Sequence, residues 1–273
     1  MPHRTRRPLA SAPWLATALV APLLAACAPS LRVHPRAADE ITRGYRYLAQ
    51  DDLERAEIAF AHALEFNADI PEAQNGAGVV ERRRGRLDEA RRRFEHAVKV
   101  APDFAEALVN LGELSVRAGD LDAAAEHFRA ALRVDPDLVV ARLDLARALL
   151  HRGIQDGARR ADHWSAARRE YLHLLESRAD LPEAHHDLGY LDYALGRWER
   201  AAAEYARAVE LDPSYVEALH GSCISLVRAG RCAEAARACR RCLDVAPSDE
   251  RCQVSSRGAE GCGGAAAAPV LAP

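Results

Sequence analysis

Four columns of residues recur every 34 positions in the first half of this chain. Gly44, Gly78 and Gly112 form one; Ala56, Ala90 and Ala124 a second; Phe60, Phe94 and Phe128 a third; Ala63, Ala97 and Ala131 a fourth. Such a period demands one supersecondary unit, copied and stacked. The copy Ala105–Leu138 shows what the unit is. Leu108, Leu111 and Leu114 make the apolar stripe of one amphipathic helix, and Gly119-Asp120 breaks the chain. Ala123, Ala124, Phe128, Ala131 and Leu132 make the stripe of a second helix. Asp135-Pro136 ends it, because proline has no amide proton and disfavours helix in the residue before it. Gly112, Ala124 and Ala131 are small where two antiparallel helices must approach closely. One hairpin cannot bury its apolar face alone, so neighbouring copies have to cover it.

The markers Leu111-Gly112, Ala124-x3-Phe128, Ala131 and Pro136 resemble those of the tetratricopeptide repeat, a helix–turn–helix unit of the same length. The expected fold is all-α: a right-handed α-solenoid of six such hairpins with a short, disulfide-pinned C-terminal cap. The units are 37–70, 71–104, 105–138, 139–181, 182–215 and 216–249, with the cap over 250–257 and a low-complexity tail over 258–273. Unit four places Ala146 in the glycine column and Ala167, Tyr171 and Leu174 in its second helix. The step from Ala124 to Ala167 is nine residues too long, and Gly153–Asp162 is the expected site of an enlarged loop. Unit five carries Leu188-Gly189, Ala201, Tyr205, Ala208 and Pro213. Unit six keeps Ala235 and Pro247 but puts Cys223, Cys239 and Cys242 in the glycine, aromatic and alanine columns. Asp52, Asp88, Asp120 and Asp122 flank helix starts, where a carboxylate can cap free amides. A hydrophobic content of 49% with only 5% aromatics is alanine- and leucine-rich, in keeping with helices.

Residues 1–27 read as an export signal. Arg4, Arg6 and Arg7 precede a mostly apolar run, Leu15–Ala26, too short for the roughly 20 residues of a membrane span. The run ends in Leu24-Ala25-Ala26-Cys27, which resembles the lipobox of bacterial lipoproteins. That resemblance implies cleavage before Cys27 and lipidation of its thiol and amino group. Ala28 after the cysteine then points to the outer membrane, with the body facing the periplasm. Thr5-Arg6-Arg7-Pro8-Leu9 has a fainter likeness to a twin-arginine signal. Residues 28–36 read as a tether. Without the three arginines of the signal, 34 basic residues face 40 acidic ones, a charge of −6. That balance argues against a nucleic-acid partner.

Six cysteines remain besides Cys27: Cys223, Cys232, Cys239, Cys242, Cys252 and Cys262. All fall near the C-terminus, in a chain addressed to a compartment where disulfides form. Cys223 faces the second helix of unit six, where Cys239 and Cys242 lie on neighbouring turns. One of these two is its expected partner, and the others would pin Cys252 and Cys262 into a cap. Cys239-Arg-Arg-Cys242 also has the spacing of a redox dithiol, but lacks the strand-to-helix setting of that chemistry. A zinc site would need a second well-spaced pair. Haem attachment would need histidine where Leu243 stands. Neither metal nor cofactor is expected.

In the repeat family the first helices line a concave face through positions 5, 9, 12 and 13 of each unit. Carried onto this sequence, these are Asn75, Val79, Arg82 and Arg83, then Val109, Glu113, Val116 and Arg117. Leu143, Arg147, Leu150 and His151 follow, then His186, Tyr190, Tyr193 and Ala194, and lastly His220, Ile224, Val227 and Arg228. The resemblance implies a groove with apolar patches, an aromatic–histidine stretch in unit five and scattered arginines. Such a groove suits an extended or helical peptide with anionic groups, while several of these residues could equally pack against the next repeat. The lysine–asparagine clamp of chaperone-binding relatives is absent. His185 and His186 point about 100° apart on a helix and do not chelate together easily.

No catalytic constellation stands out, so the chain reads as a lipid-anchored scaffold rather than an enzyme. A lipobox followed by six repeats resembles the type IV pilus assembly lipoproteins called pilotins, and more loosely the repeat lipoproteins of gliding-motility machines. The implied partner is a protein of the cell envelope, a secretin or a motility complex. The alternative is a periplasmic thiol–disulfide exchange protein built on Cys239 and Cys242.

Overall fold

The computed structural model describes residues 33–262. The signal segment, Cys27, residues 28–32 of the tether and Gly263–Pro273 of the tail lie outside the described residues. Six helix hairpins follow one another: α1 (Pro35–Ala49) with α2 (Leu53–Phe66), α3 (Pro71–Arg83) with α4 (Leu87–Val100), and α5 (Ala105–Arg117) with α6 (Leu121–Val134). Then come α7 (Val139–Gln155) with α8 (Arg160–Ser177), α9 (Pro182–Ala194) with α10 (Trp198–Leu211), and α11 (Val216–Arg228) with α12 (Cys232–Val245). A final helix, α13 (Glu250–Glu260), packs on both α11 and α12. Each second helix touches the first helix of the next hairpin, and successive first helices touch one another. The chain is an α-solenoid with first helices along one face.

The repeating columns explain this packing. A Cβ on Gly44 would lie 2.6 Å from the Phe60 ring, on Gly78 2.5 Å from Phe94, and on Gly112 2.5 Å from Phe128. The absent side chain lets each ring lie flat on the facing backbone. All three rings are fully buried, as are all six alanines of the two alanine columns. Burying one such ring contributes about 1.5–3 kcal/mol. Five hairpin turns share one device. Asp51, Gly85, Gly119, Gly196 and Gly230 adopt left-handed backbone, with φ of 57°, 79°, 78°, 72° and 71°. The Asp120 amide donates to the Ser115 carbonyl and the Gly119 amide to that of Val116, so the last carbonyls of the helix are satisfied. Of the four acidic residues at helix starts, Asp52 and Asp120 are caps, accepting from the Arg55 and Ala123 amides at 3.0 Å each. Asp88 and Asp122 lie one step inside, in the first turn.

Hairpin four departs from the expected enlarged loop. Its helices have 17 and 18 residues where α5 and α6 have 13 and 14. Eight of the nine extra residues therefore extend the two helices, and one lengthens the turn. Gly153 is the cause. It stands where Gly119 turns the third hairpin, 34 positions on, yet it stays helical and the Trp164 indole covers its bare Cα. Trp164 Nε1 donates to the Leu150 carbonyl at 3.1 Å. An additional glycine–aromatic clasp thus adds about a turn to each helix.

The C-terminal bridges follow the same columns. Cys223 of the glycine column bonds Cys239 of the aromatic column, with Cα atoms 4.9 Å apart, so a disulfide replaces the glycine–phenylalanine contact. Cys252 stands 34 positions after Ala218, an alanine fully buried between hairpins. Its bond to Cys242 joins two columns occupied in most other units by buried alanines. Cys232 and Cys262 form the third bridge. Helix α13 is thus in register as the first helix of a seventh unit. It runs on to Glu260, past the expected end of the cap at residue 257, because Cys252, Ser255 and Ala259 bury one stripe. At the other end, α1 starts at Pro35, within the residues assigned to the tether, with His34 Nδ1 accepting the Arg36 amide.

Gly112→Ala is expected to lower stability by about 1–3 kcal/mol through overpacking against Phe128. Asp51→Gly is expected to raise it by about 0.5–1 kcal/mol by relieving left-handed backbone. Urea midpoints of the two variants check both signs.

Candidate functional site

The inner face is built from first helices, so its character is set by which side chains survive packing between them. At the N-terminal end a polar ladder crosses three helices. The Tyr45 hydroxyl donates to the Glu72 carbonyl at 3.0 Å, and Asn75 Nδ2 donates to the Tyr45 oxygen at 3.2 Å. Asn110 Nδ2 then donates to Asn75 Oδ1 at 2.8 Å. Asn75 and Val109 are buried by this packing, whereas Val79 and Glu113 stay half-buried and Val116 is exposed. Arg82 pairs with Glu113 across α3 and α5. Burial, with the Arg117 and Arg83 cations nearby, pushes the Arg82 guanidinium down from its ordinary value. Arg83 donates to the Leu48 carbonyl at 2.8 Å and to Asp51 at 3.1 Å. Arg117 is exposed and makes no ion pair or hydrogen bond among the described residues.

The centre of the face is organised on Asp187. Arg147 Nε donates to its Oδ2 at 2.7 Å, and the Tyr171 hydroxyl donates to the same oxygen at 3.4 Å. His186 Nδ1 lies 2.9 Å from Oδ1. Burial pushes this carboxyl up, but His186 and Arg147 outweigh it and hold it below the usual carboxylate range. The His186 ring also stacks on Tyr215 at 5.1 Å and meets Tyr205 edge-on at 5.5 Å. Burial pushes the Tyr215 hydroxyl up to about 12. Leu143, Arg147, His186 and Tyr190 remain half-buried, while Leu150 and Tyr193 are buried, Tyr193 against Trp198. Half-buried Asp144 has no hydrogen-bond or ion-pair partner among the described residues. Burial raises its pKa, Arg147 opposes the rise and Asp187 adds to it.

Repeat six behaves differently from the expectation. His220 is 2% exposed and Ile224 0%, and Val227 is buried with them, so they are not groove residues. Arg228 alone of this set is exposed, its guanidinium 6.0 Å from the Trp198 ring. Asn110, Asp144 and Asp187 were not among the expected positions. Their signal was readable: they occupy one column, at 34 and then 43 residues, polar on faces otherwise apolar.

The remaining chemistry is structural. Cys239 and Cys242 belong to two different disulfides, to Cys223 and Cys252, and all four are buried, so they do not form the dithiol that an exchange enzyme needs. His185 Nδ1 lies 2.8 Å from Glu204 of α10, away from His186. No group of three metal-binding side chains occurs among the described residues. No helix among them is long and apolar enough to cross a membrane.

A stack of helix hairpins presenting one continuous face of side chains defines the class of repeat interaction scaffolds. Tetratricopeptide-repeat models match residues 41–92, 77–139 and 115–162, and a further one matches 182–215. The matches span more than half the chain, which belongs to the tetratricopeptide-repeat family. No curated protein matches the sequence. Among solved structures, the fold is similar to PilF of Pseudomonas aeruginosa, with a TM-score of 0.68 at 15% identity, over 83% of this chain and 97% of that one. It is similar to PilW, described as a widely conserved type IV pilus biogenesis factor, with a TM-score of 0.69 at 17% identity, over 81% and 98%. YrrB, described as having an unusual peptide-binding site, gives 0.59 at 17% identity, over 73% and 98%. At these identities the likeness is one of fold.

Asp144→Asn tests the electrostatics of the face. A carboxyl whose folded pKa is raised costs stability while ionised and ceases to cost it once protonated in both states. The variant is therefore expected to raise the urea midpoint at pH 7, with the gain vanishing as pH falls below the ordinary carboxylate pKa.

Proposed function

We propose that this chain is a lipid-anchored scaffold of the bacterial envelope. It is held at the outer membrane through Cys27, faces the periplasm, and receives a protein partner of an envelope machine on its inner face. The type IV pilus, through its secretin, is the favoured machine, and a gliding-motility complex is the second. The single observation carrying the reading is the continuous inner face of α3, α5, α7 and α9. Side chains that packing leaves exposed there (Val116, Arg117) adjoin a polar network that fixes their surroundings. The fold shared with PilF and PilW supports the pilus assignment, the lipobox supports the anchor, and three disulfides suit an oxidising compartment.

Arg117 is the residue to test, because it has no partner among the described residues whose loss would confuse the result. Crosslinked co-purification from the native envelope is expected to recover a secretin or its pilus neighbours, or else motility components. Arg117→Glu is expected to weaken partner recovery about tenfold or more, equivalent to ~1.4 kcal/mol, with an unchanged melting curve. Cys27→Ala is expected to move the protein from the membrane to the soluble fraction. An unchanged complex with Arg117→Glu would remove the inner face from the reading, and an unchanged membrane fraction with Cys27→Ala would remove the anchor.

A further inference from the structure

The three disulfides are unequally protected. Cys223, Cys239, Cys242 and Cys252 are at most 1% exposed, whereas Cys232 and Cys262 are both partly exposed. Cys232 opens α12, and Cys262 follows the end of α13, so this bridge ties the far end of the capping helix to the start of its neighbour. The two ends of α13 are also held differently. The near end has the Asp249 cap, which accepts from the Arg251 amide at 2.8 Å, the Arg251–Glu217 ion pair at 3.2 Å, and the Cys242–Cys252 bond. Within α13 beyond Ser255 only Ala259 is buried, and Gly258 weakens the last turn. An isolated helix of 11 residues is marginal in water, so its final turns depend on tertiary ties.

Beneath that far end lies an apolar face. Ala259 packs into a cluster with Leu226, Val227, Ala235 and the buried Cys223–Cys239 bridge, and the Ser255 carbonyl lies 3.8 Å from Cys239 Sγ. Val227 stands in the same inner-face column as Val116, which is exposed three repeats earlier. We propose that Cys232–Cys262 is a thiol-reducible latch on the far half of α13, and that its opening uncovers this apolar face and the Cys223–Cys239 bridge. The two electrons come from a dithiol reductant. Its thiolate attacks one sulfur of the latch, and the other sulfur leaves as a thiolate and takes a proton. The reductant's second thiol resolves the mixed disulfide, leaving two protein thiols and the reductant's own disulfide. The Cys242–Cys252 bond keeps the near half of α13 in place, so the movement is a fraying and not a loss of the cap. The inference stands on the bridges alone, whatever partner the inner face takes.

The test is pulsed alkylation of the full-length chain under graded dithiothreitol, with peptide mapping and amide hydrogen exchange. Cys232 and Cys262 are expected to label about tenfold or more faster than the four buried cysteines. Amides of Arg257–Cys262 should lose protection as they label, while α9 and α10 keep theirs. The double variant Cys232→Ser/Cys262→Ser should show the same loss of protection without reductant. Labelling of a buried pair as fast as the latch would overturn the proposal. So would a double variant whose Arg257–Cys262 amides exchange as slowly as those of the oxidised protein.

Discussion

Everything in this structure depends on how closely two helices in a hairpin can approach. An aromatic ring on the second helix needs a bare backbone on the first, and Gly44, Gly78 and Gly112 supply it under Phe60, Phe94 and Phe128. With that distance fixed, the alanine columns set the spacing to the next hairpin, and the stack propagates through nearest-neighbour contacts only. The first helices then fall on one side without further instruction. Gly76 and Gly221 extend the device between hairpins: each would drive a Cβ into the ring of the preceding unit, Phe60 and Tyr205 respectively.

The variations in the later repeats are substitutions into the same contacts. In hairpin six the glycine and aromatic positions become Cys223 and Cys239, and a covalent bond takes over the duty of the ring. Across the next interface two alanine positions become Cys242 and Cys252. In hairpin five, Tyr205 takes the aromatic column and its hydroxyl is buried without a partner among the described residues. The matching Tyr171 hydroxyl of hairpin four reaches Asp187, but the next residue in that column is Gly221, which offers nothing. Phenylalanine at 205 would fit the packing equally well, so the hydroxyl has no structural account.

Fold class and repeat number were legible because a 34-residue period encodes contact geometry directly. The finer points failed where one residue type can serve two ends. Gly153 reads as a turn glycine by position, and a loop expectation follows; only Trp164, eleven residues on, shows that its missing side chain serves a helix contact. Ser255–Gly258 reads as a helix stop by propensity, yet a buried stripe and two bridges override a cost of roughly 1 kcal/mol for one glycine. The choice of Cys239 over Cys242 was in fact available, since the aromatic column is the one that touches the glycine column. The inner face was less legible. Family positions locate a surface, but they do not say which side chains the neighbouring helix will bury, and Asn75, Val109, Tyr193, His220 and Ile224 are buried.

Helix α13 links the end of the stack to the extent of the face. A terminal repeat must cover its apolar side, and here the cover is a first helix without a second. Because α13 sits in register, it buries hairpin six as any further unit would bury its predecessor, and His220 Nε2 is left without a partner among the described residues. Burial, reinforced by the Arg251 cation, lowers the His220 pKa. An imidazole kept neutral in the folded state favours folding above its unfolded pKa and loses that contribution as pH falls toward the folded value. The cap is thus weakest in acid, where Asp249 also approaches protonation at about 2. Covalent bridges are insensitive to that titration. With a thin apolar stripe and a histidine under the helix, disulfides are the ties that hold α13 over a wide pH range.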